Sequence, residues 1–349
     1  MTRTPFQLAA LASAAVPGLD PVAAGPFPLD PGHAIDVASV EDGQGRSWIV
    51  RCSASPAAAV ALDAGAAAAA LVARRLGVSV PLSRGTLTLP EGGRVHVHVA
   101  IPGQGLRLSA LEPQFAIASA LGKLIAGLHN LEPEVFEDAG LETYTSDEYR
   151  QRRLTDLDRA ASTGRVPAAL LTRWEEALEN VAIWQFVPVP IHGALAGRHV
   201  LVSLGDDGEA VIRGVVGWRR AKVADPADDF AALVREADPP AVIEVARTYA
   251  RSRTTRPDRH LLTRAKLVSE LAFVTDLFDA LAAGYPEAVD YATHTLQQLA
   301  DQVEGTDLIP APPTRPVPVA EPSEPAPETE EQSTQPVPTT EAEDAEPTR

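Results

Sequence analysis

The spacing of apolar positions divides the chain into a strand-like first third and a mostly helical remainder. Over residues 34–51, AIDVASVEDGQGRSWIVR, apolar and polar residues alternate on the first arm, and the second arm is rich in Trp, Ile and Val. This pattern predicts two strands around a turn at Gly43-Gln44-Gly45. Residues 57–76 are Ala-rich, end in basic residues and are followed by Gly77; they predict a helix with a glycine stop. Residues 86–101 alternate again, with Glu91-Gly92-Gly93 as the turn of a second hairpin. Beyond Pro102-Gly103 the period becomes helical. Leu121, Leu124, Ile125, Leu128 and Leu131 share one helical face, with Pro113 placed to start the helix. Further helices are predicted over 166–181, 239–252, 258–283 and 286–303. One β-rich island, 189–216, interrupts them. The first twenty residues predict a short surface-docking helix, because the apolar run is brief and Gln7 breaks it. The order predicts an α+β chain. A small β lobe with one helix (1–102) precedes a helical lobe carrying an inserted hairpin (103–305).

Composition adds limits to this picture. Hydrophobic residues make up 45% of the chain, enough to fold most of it. Residues 310–349 hold 9 acidic residues against 2 Arg, and 11 of the 31 prolines, with no aromatic residue. Such a stretch cannot bury enough apolar surface to order itself, so 306–349 is expected to be a disordered Pro/Glu/Thr tail. It either solvates the protein or docks on a basic protein partner. The net charge of −17 argues against a nucleic-acid partner, which needs a basic footprint. A single cysteine, Cys52, excludes an internal disulfide framework and fits a reducing, cytoplasmic setting. No segment has the length and apolarity of a membrane span.

The chemistry-bearing residues cluster in the β island. The run Pro190-Ile191-His192-Gly193-Ala194-Leu195-Ala196-Gly197-Arg198-His199-Val200-Leu201-Val202 resembles the catalytic loop of aminoglycoside and macrolide phosphotransferases, V-H-G-D-L-x-x-x-[NH]-V-L-V. Downstream, Val215-Val216-Gly217-Trp218-Arg219-Arg220-Ala221 and Asp225-Pro226-Ala227-Asp228-Asp229-Phe230 look like that family's V-I-D-W-x-x-A and D-P-x-x-D-F. Ser47–Arg51 resembles the strand that carries a nucleotide-contacting basic residue. Ala100, Ile101 and the following Pro102-Gly103 resemble the hinge, and Leu121–His129 resembles the A-L-G-x-x-L-A-x-L-H helix. These blocks keep the family's order over roughly residues 1–305. The resemblance implies a bilobal protein-kinase-like fold and ATP- or GTP-dependent phosphoryl transfer to a small molecule.

The same resemblance exposes departures. Phosphoryl transfer needs a carboxylate to position the attacking hydroxyl and oxygen ligands for divalent cations. Ala194 stands where the family has its catalytic Asp, and Gly217 where it has a metal-binding Asp. Gly65 falls where a helix Glu would hold the strand's basic residue. His199 remains at the loop metal position and Arg51 at the basic position, yet no metal is expected without the two carboxylates. A pseudokinase-like protein follows. It would bind a nucleotide without Mg²⁺, a small ligand or a protein partner; the alternative is an active phosphotransferase with an atypical site. Arg219 and Arg220 are candidates to replace the metal's charge, one of them facing the cleft if the strand continues. Arg51 contacts a phosphate or pairs with a surface acid. His192 is expected to brace the loop, and His129 to satisfy the end of its own helix. Asp225 and Asp229 should cap a helix or hold the loop. His96 and His98 form either a metal pair or a solvated or half-buried strand face.

Overall fold

The computed structural model describes residues 3–27, 34–90, 92–206 and 208–309. Of the expected tail, 306–349, residues from 310 onward lie outside the described residues, whereas Leu308 is buried in an apolar core rather than disordered. The alternating segments pair into one sheet. Its strands are β1 (Pro21–Pro26), β2 (Ile35–Asp42), β3 (Ser47–Ser53), β4 (Gly85–Thr88) and β5 (Arg94–Val99). Their order is β1-β2-β3-β5-β4, with every neighbouring pair antiparallel. Alternation gives this sheet two buried faces. On one, Ala38, Val40, Trp48, Val50, Val95 and Val97 pack with Leu8, Ala9 and Ala12 of helix α1 (Pro5–Ala15). That helix starts with a Thr4–Gln7 capping box and Pro5 in its first turn. The surface-docking helix of the sequence reading therefore closes a core.

The other face meets helix α2 (Pro56–Val72), which Ser55 caps and whose Leu62 packs with Ile35. α2 ends at Val72, four residues short of the expected end at 76. Asp63 on α2 accepts from Arg94 Nε at 3.0 Å and pairs with His96 Nε2 at 2.7 Å, tying the helix to β5.

After the sheet the chain enters β6 (Gln104–Gly105) and then a helical region, α3 (Ala116–His129), α4 (Glu134–Glu137), α5 (Ser146–Ser162) and α6 (Ala168–Glu179). The β island follows as β7 (Val189–Ile191), β8 (Val200–Leu204), β9 (Ala210–Val215) and β10 (Lys222–Ala224). It makes a β6-β8-β9 sheet and a separate β7–β10 pair. Helices α7 (Ala231–Glu236), α8 (Pro239–Ser252), α9 (Leu261–Ala283) and α10 (Pro286–Val303) complete the described chain. Helix α3 begins at Ala116 rather than at Pro113, which sits in the lead-in turn. Helix α5 escaped the sequence reading because it is almost wholly polar, burying only Tyr149, Leu157 and Ala160.

Two apolar cores hold the island between them. Leu195, Val200, Val215, Trp218 and Val223 belong to a core with α3 and α8. Ile191 and Ala224 belong to a core built on α6, α9 and α10. The loop between β7 and β8 is thus fixed from both sides by packing. Among the described residues no helix is long and apolar enough to cross a membrane.

Candidate functional site

The loop His192–His199 leaves β7 and is gripped by one buried carboxylate. Asp229 accepts from the His192 N–H at 2.9 Å, from the Gly193 N–H at 2.8 Å and from His129 Nε2 at 3.1 Å. Burial alone would raise the Asp229 pKa, but the His129 hydrogen bond and the nearby imidazoles bring it below the ordinary value. His129 Nδ1 in turn meets the Tyr249 hydroxyl at 2.9 Å. His129 therefore links α3 to the loop and to α8, instead of closing its own helix as the sequence suggested. Burial lowers its pKa, with Asp229 opposing. Asp225 caps the following turn through the Ala227 N–H at 2.9 Å and holds Arg264 with two bonds, at 2.7 and 3.0 Å. Both Asp225 and Asp229 are thus used as loop and turn anchors.

His192 braces the loop. Its Nε2 donates to the Val216 carbonyl at 2.9 Å, and its ring lies 4.8 Å from Trp218 and 5.2 Å from His199. Burial pushes its pKa down to about 4. Gly193 has φ +76, and a Cβ there would come within 2.2 Å of the Arg220 carbonyl oxygen, so the loop requires glycine.

The two departures from the family pattern lie on either side of one imidazole. His199 Nδ1 donates to the Ala194 carbonyl at 2.8 Å. Gly217 is left-handed, with φ 92 and ψ 26. A Cβ on Gly217 would sit 2.6 Å from His199 Cδ2 and 2.9 Å from its Nε2. The ring therefore fills the space into which a Gly217 side chain would grow. A hard divalent cation needs several oxygen donors. Among the described residues, no group of three or more His, Cys, Asp or Glu side chains is placed to hold a metal. The residues at this loop do not fit Mg²⁺.

The basic candidates separate. Residues Trp218–Arg220 form a 3-10 turn, not a continuing strand, so the expected alternation of Arg219 and Arg220 does not apply. Arg219 and Arg51 line one small cavity with His96 and His98. Arg220 is exposed and is not among its lining residues. Ala100 and Ile101 line a different groove of about 460 Å³ with Val78, Val80 and Pro102. A Cβ on Gly65 would meet the Arg219 Cα at 3.1 Å, so glycine lets α2 close on this turn where a longer side chain would prop it open. His96 and His98 are not a half-buried face. They are 7% and 5% exposed, because α2 covers them.

The sequence reading missed a charged group beside the loop. Asp228 bonds the Tyr149 hydroxyl and, at 2.8 Å, Arg153 Nη2. Lys222 Nζ lies 5.2 Å from the centre of the Tyr149 ring, and its Cε borders Gly193. Burial lowers the Lys222 pKa, with Asp228 partly opposing. Tyr149 and Arg153 sit on the unforeseen helix α5; its Thr145-x-x-Glu148 capping box was the available signal.

This geometry has counterparts. A sequence profile of the phosphotransferase enzyme family matches residues 28–262. The Bacillus subtilis (strain 168) protein YcbJ is 28% identical over 118 residues, a match spanning 34% of this chain and 37% of YcbJ. In structure, the chain is similar to macrolide 2'-phosphotransferase MphH from Brachybacterium faecium, with TM-score 0.68 and 24% identity over 83% of this chain and 97% of that one. It is also similar to an aminoglycoside phosphotransferase, APH(2")-IIIa, solved with GDP and kanamycin. That match has TM-score 0.71 and 16% identity over 84% and 98% of the two chains. With a family match over well more than half its length, an Asp229-gripped loop between two cores and a five-stranded sheet backed by α2, the chain belongs to the phosphotransferase enzyme family and has its protein-kinase-like fold.

Proposed function

We propose that this family member does not transfer phosphate and that it acts as a pseudokinase-like binding protein. One observation carries the reading: His199 occupies the space beside Gly217, and Ala194 offers only a methyl group where the family pattern has a carboxylate. A methyl group neither accepts a proton nor orients a hydroxyl, and the loop lacks the oxygen donors that a divalent cation requires. Losing both functions should cost many powers of ten in rate. Solved relatives carry GDP, or ADP with spectinomycin, by their own descriptions. A nucleotide or another anion is the ligand class this reading extends to the present chain, with Arg51 and Arg219 supplying charge in place of Mg²⁺.

Calorimetry with ATP and GTP, in EDTA and in Mg²⁺ and at two salt concentrations, tests the reading. Binding that is indifferent to Mg²⁺ and weakens with salt supports it. Binding seen only with Mg²⁺ overturns it. The competing reading, an active phosphotransferase with an unusual site, draws on the intact grip of Asp229 on His192 and Gly193. That grip keeps the loop in shape but supplies no base.

A further inference from the structure

The cavity between β3, β5 and α2 has an unusual lining. It measures about 30 Å³ and is bounded by Arg51, His96, His98, Ser83, Leu62 and Arg219. Both histidines have one nitrogen engaged and the other buried without a protein partner: Nδ1 of His96 and Nε2 of His98. The engaged nitrogens fix the tautomers. His98 Nδ1 lies 3.0 Å from the Val99 carbonyl, which can only accept, so Nδ1 carries the proton and Nε2 is a bare lone pair. His96 Nε2 lies 2.7 Å from an Asp63 carboxylate oxygen, so Nε2 carries a proton, and in the neutral ring Nδ1 is bare. A buried acceptor left without a donor is costly, because it has given up its hydrogen bonds to water. Something that brings protons completes this site.

The surrounding charges decide what that is. Among the described residues, Arg51 and Arg219 both line the cavity and no carboxylate does. Asp63, which bonds His96, is already shared between His96 and Arg94. A metal cation would face two guanidinium groups with two imidazoles as its only ligands, and electrostatics reject it. An oxyanion suits every group: its oxygens accept from the guanidinium groups, and a proton, brought by the anion or taken up by an imidazole, joins it to a bare nitrogen. The volume admits about two water centres on the usual scale, hence a small polyatomic ion and not a nucleoside.

We propose that Arg51, Arg219, His96 and His98 form a binding site for a small inorganic oxyanion of the phosphate type, held together with one proton. The inference rests on the binding-protein reading above but is separable from it, because occupancy of this cavity is measured without any transfer assay. Burial chiefly, and then the Arg51 charge, hold His98 down to about 4, so in the empty protein it is neutral at pH 7. An anion in the cavity favours the charged imidazole.

The experiment is isothermal calorimetry of the full chain with inorganic phosphate, and separately with sulfate. Sulfate carries no proton at pH 7, so each titration is run in two buffers of different ionisation enthalpy. The expected result is saturable binding of both anions, with sulfate drawing close to one proton from the buffer and binding more tightly at pH 6 than at pH 8. Arg219→Gln and His98→Phe should each weaken phosphate at least tenfold. Thermal melts and circular dichroism confirm that each variant is folded; if His98→Phe does not fold, Arg219→Gln and the buffer comparison still decide. Absence of saturable heat with either anion at millimolar concentration overturns the proposal. So does sulfate binding without proton uptake, or binding of either anion that survives both folded variants. Phosphate transfer with normal anion binding would sink the non-catalytic reading and leave this site standing.

Discussion

Replacing Gly217 by alanine should destabilise the protein by more than its backbone angle explains. At φ 92 an L residue is left-handed, which costs about 1–2 kcal/mol. The new Cβ would also sit 2.6 Å from a carbon of the His199 ring, well inside contact distance. His199 cannot simply swing aside, because its Nδ1 is bonded to the Ala194 carbonyl at 2.8 Å and the residue is 6% exposed. Overpacking of this kind adds about 1–3 kcal/mol, for a total of about 2–5 kcal/mol. Gly45→Ala is the matched control: φ there is +75, and nothing lies within 4 Å of an added Cβ. It should cost only the backbone share. Urea unfolding of Gly217→Ala, His199→Ala and the double variant then isolates the contact. The double-mutant cycle should return a coupling of about 1–3 kcal/mol, the glycine substitution being milder once the ring is gone. Equal costs at Gly45 and Gly217, with no coupling, would refute the claim that the imidazole occupies the vacated side-chain space.

Stability should fall with acid through the histidines. Burial lowers both His98 and His192 from 6.5 to about 4, so the folded state resists protonation that the unfolded chain accepts. Their contribution is full above pH 6.5, declines as pH falls below it, and stops changing below about pH 4. By pH 5.5 the pair should have lost about 3 kcal/mol, with nearly two protons taken up on unfolding; chemical denaturation in phosphate-free buffer from pH 7.5 to 5.5 measures it, and a flat profile would contradict it. Arg264→Met should cost about 3–5 kcal/mol, since Arg264 is wholly buried and its removal strands the Asp225 carboxylate. A melting temperature within two degrees of wild type (roughly 1 kcal/mol or less for a chain of this size) would show that Asp225 finds another partner.

Much of this architecture was legible in the sequence, and the gaps have physical causes. The hairpin around Gly43–Gly45 and the helix over 286–303 emerged from period alone, because their apolar faces are continuous and their ends carry turn or proline signals. Helix α5 was invisible to that reasoning: with three buried residues it has no stripe, and only its capping box announces it. The Ala194 and Gly217 departures could be read from motif position. Sequence could not show that His199 has closed over Gly217, nor that Gly65 lets α2 settle on Arg219, because both depend on contacts between segments far apart in the chain. His96 and His98 were read as a strand face for the same reason. Alternation placed them on one side of β5, but only the packing of α2 shows that side to be buried and lined with arginine.

The central claim is that the loop holds its family shape without performing its chemistry. The most direct measurement is transfer of the γ-phosphate from labelled ATP and GTP, with Mg²⁺ present, to a panel of aminoglycosides and macrolides by the purified full chain. The account predicts no product above the protein-free control. Product that grows with time and protein concentration, and disappears when His192 or Arg51 is replaced in a folded variant, would contradict it.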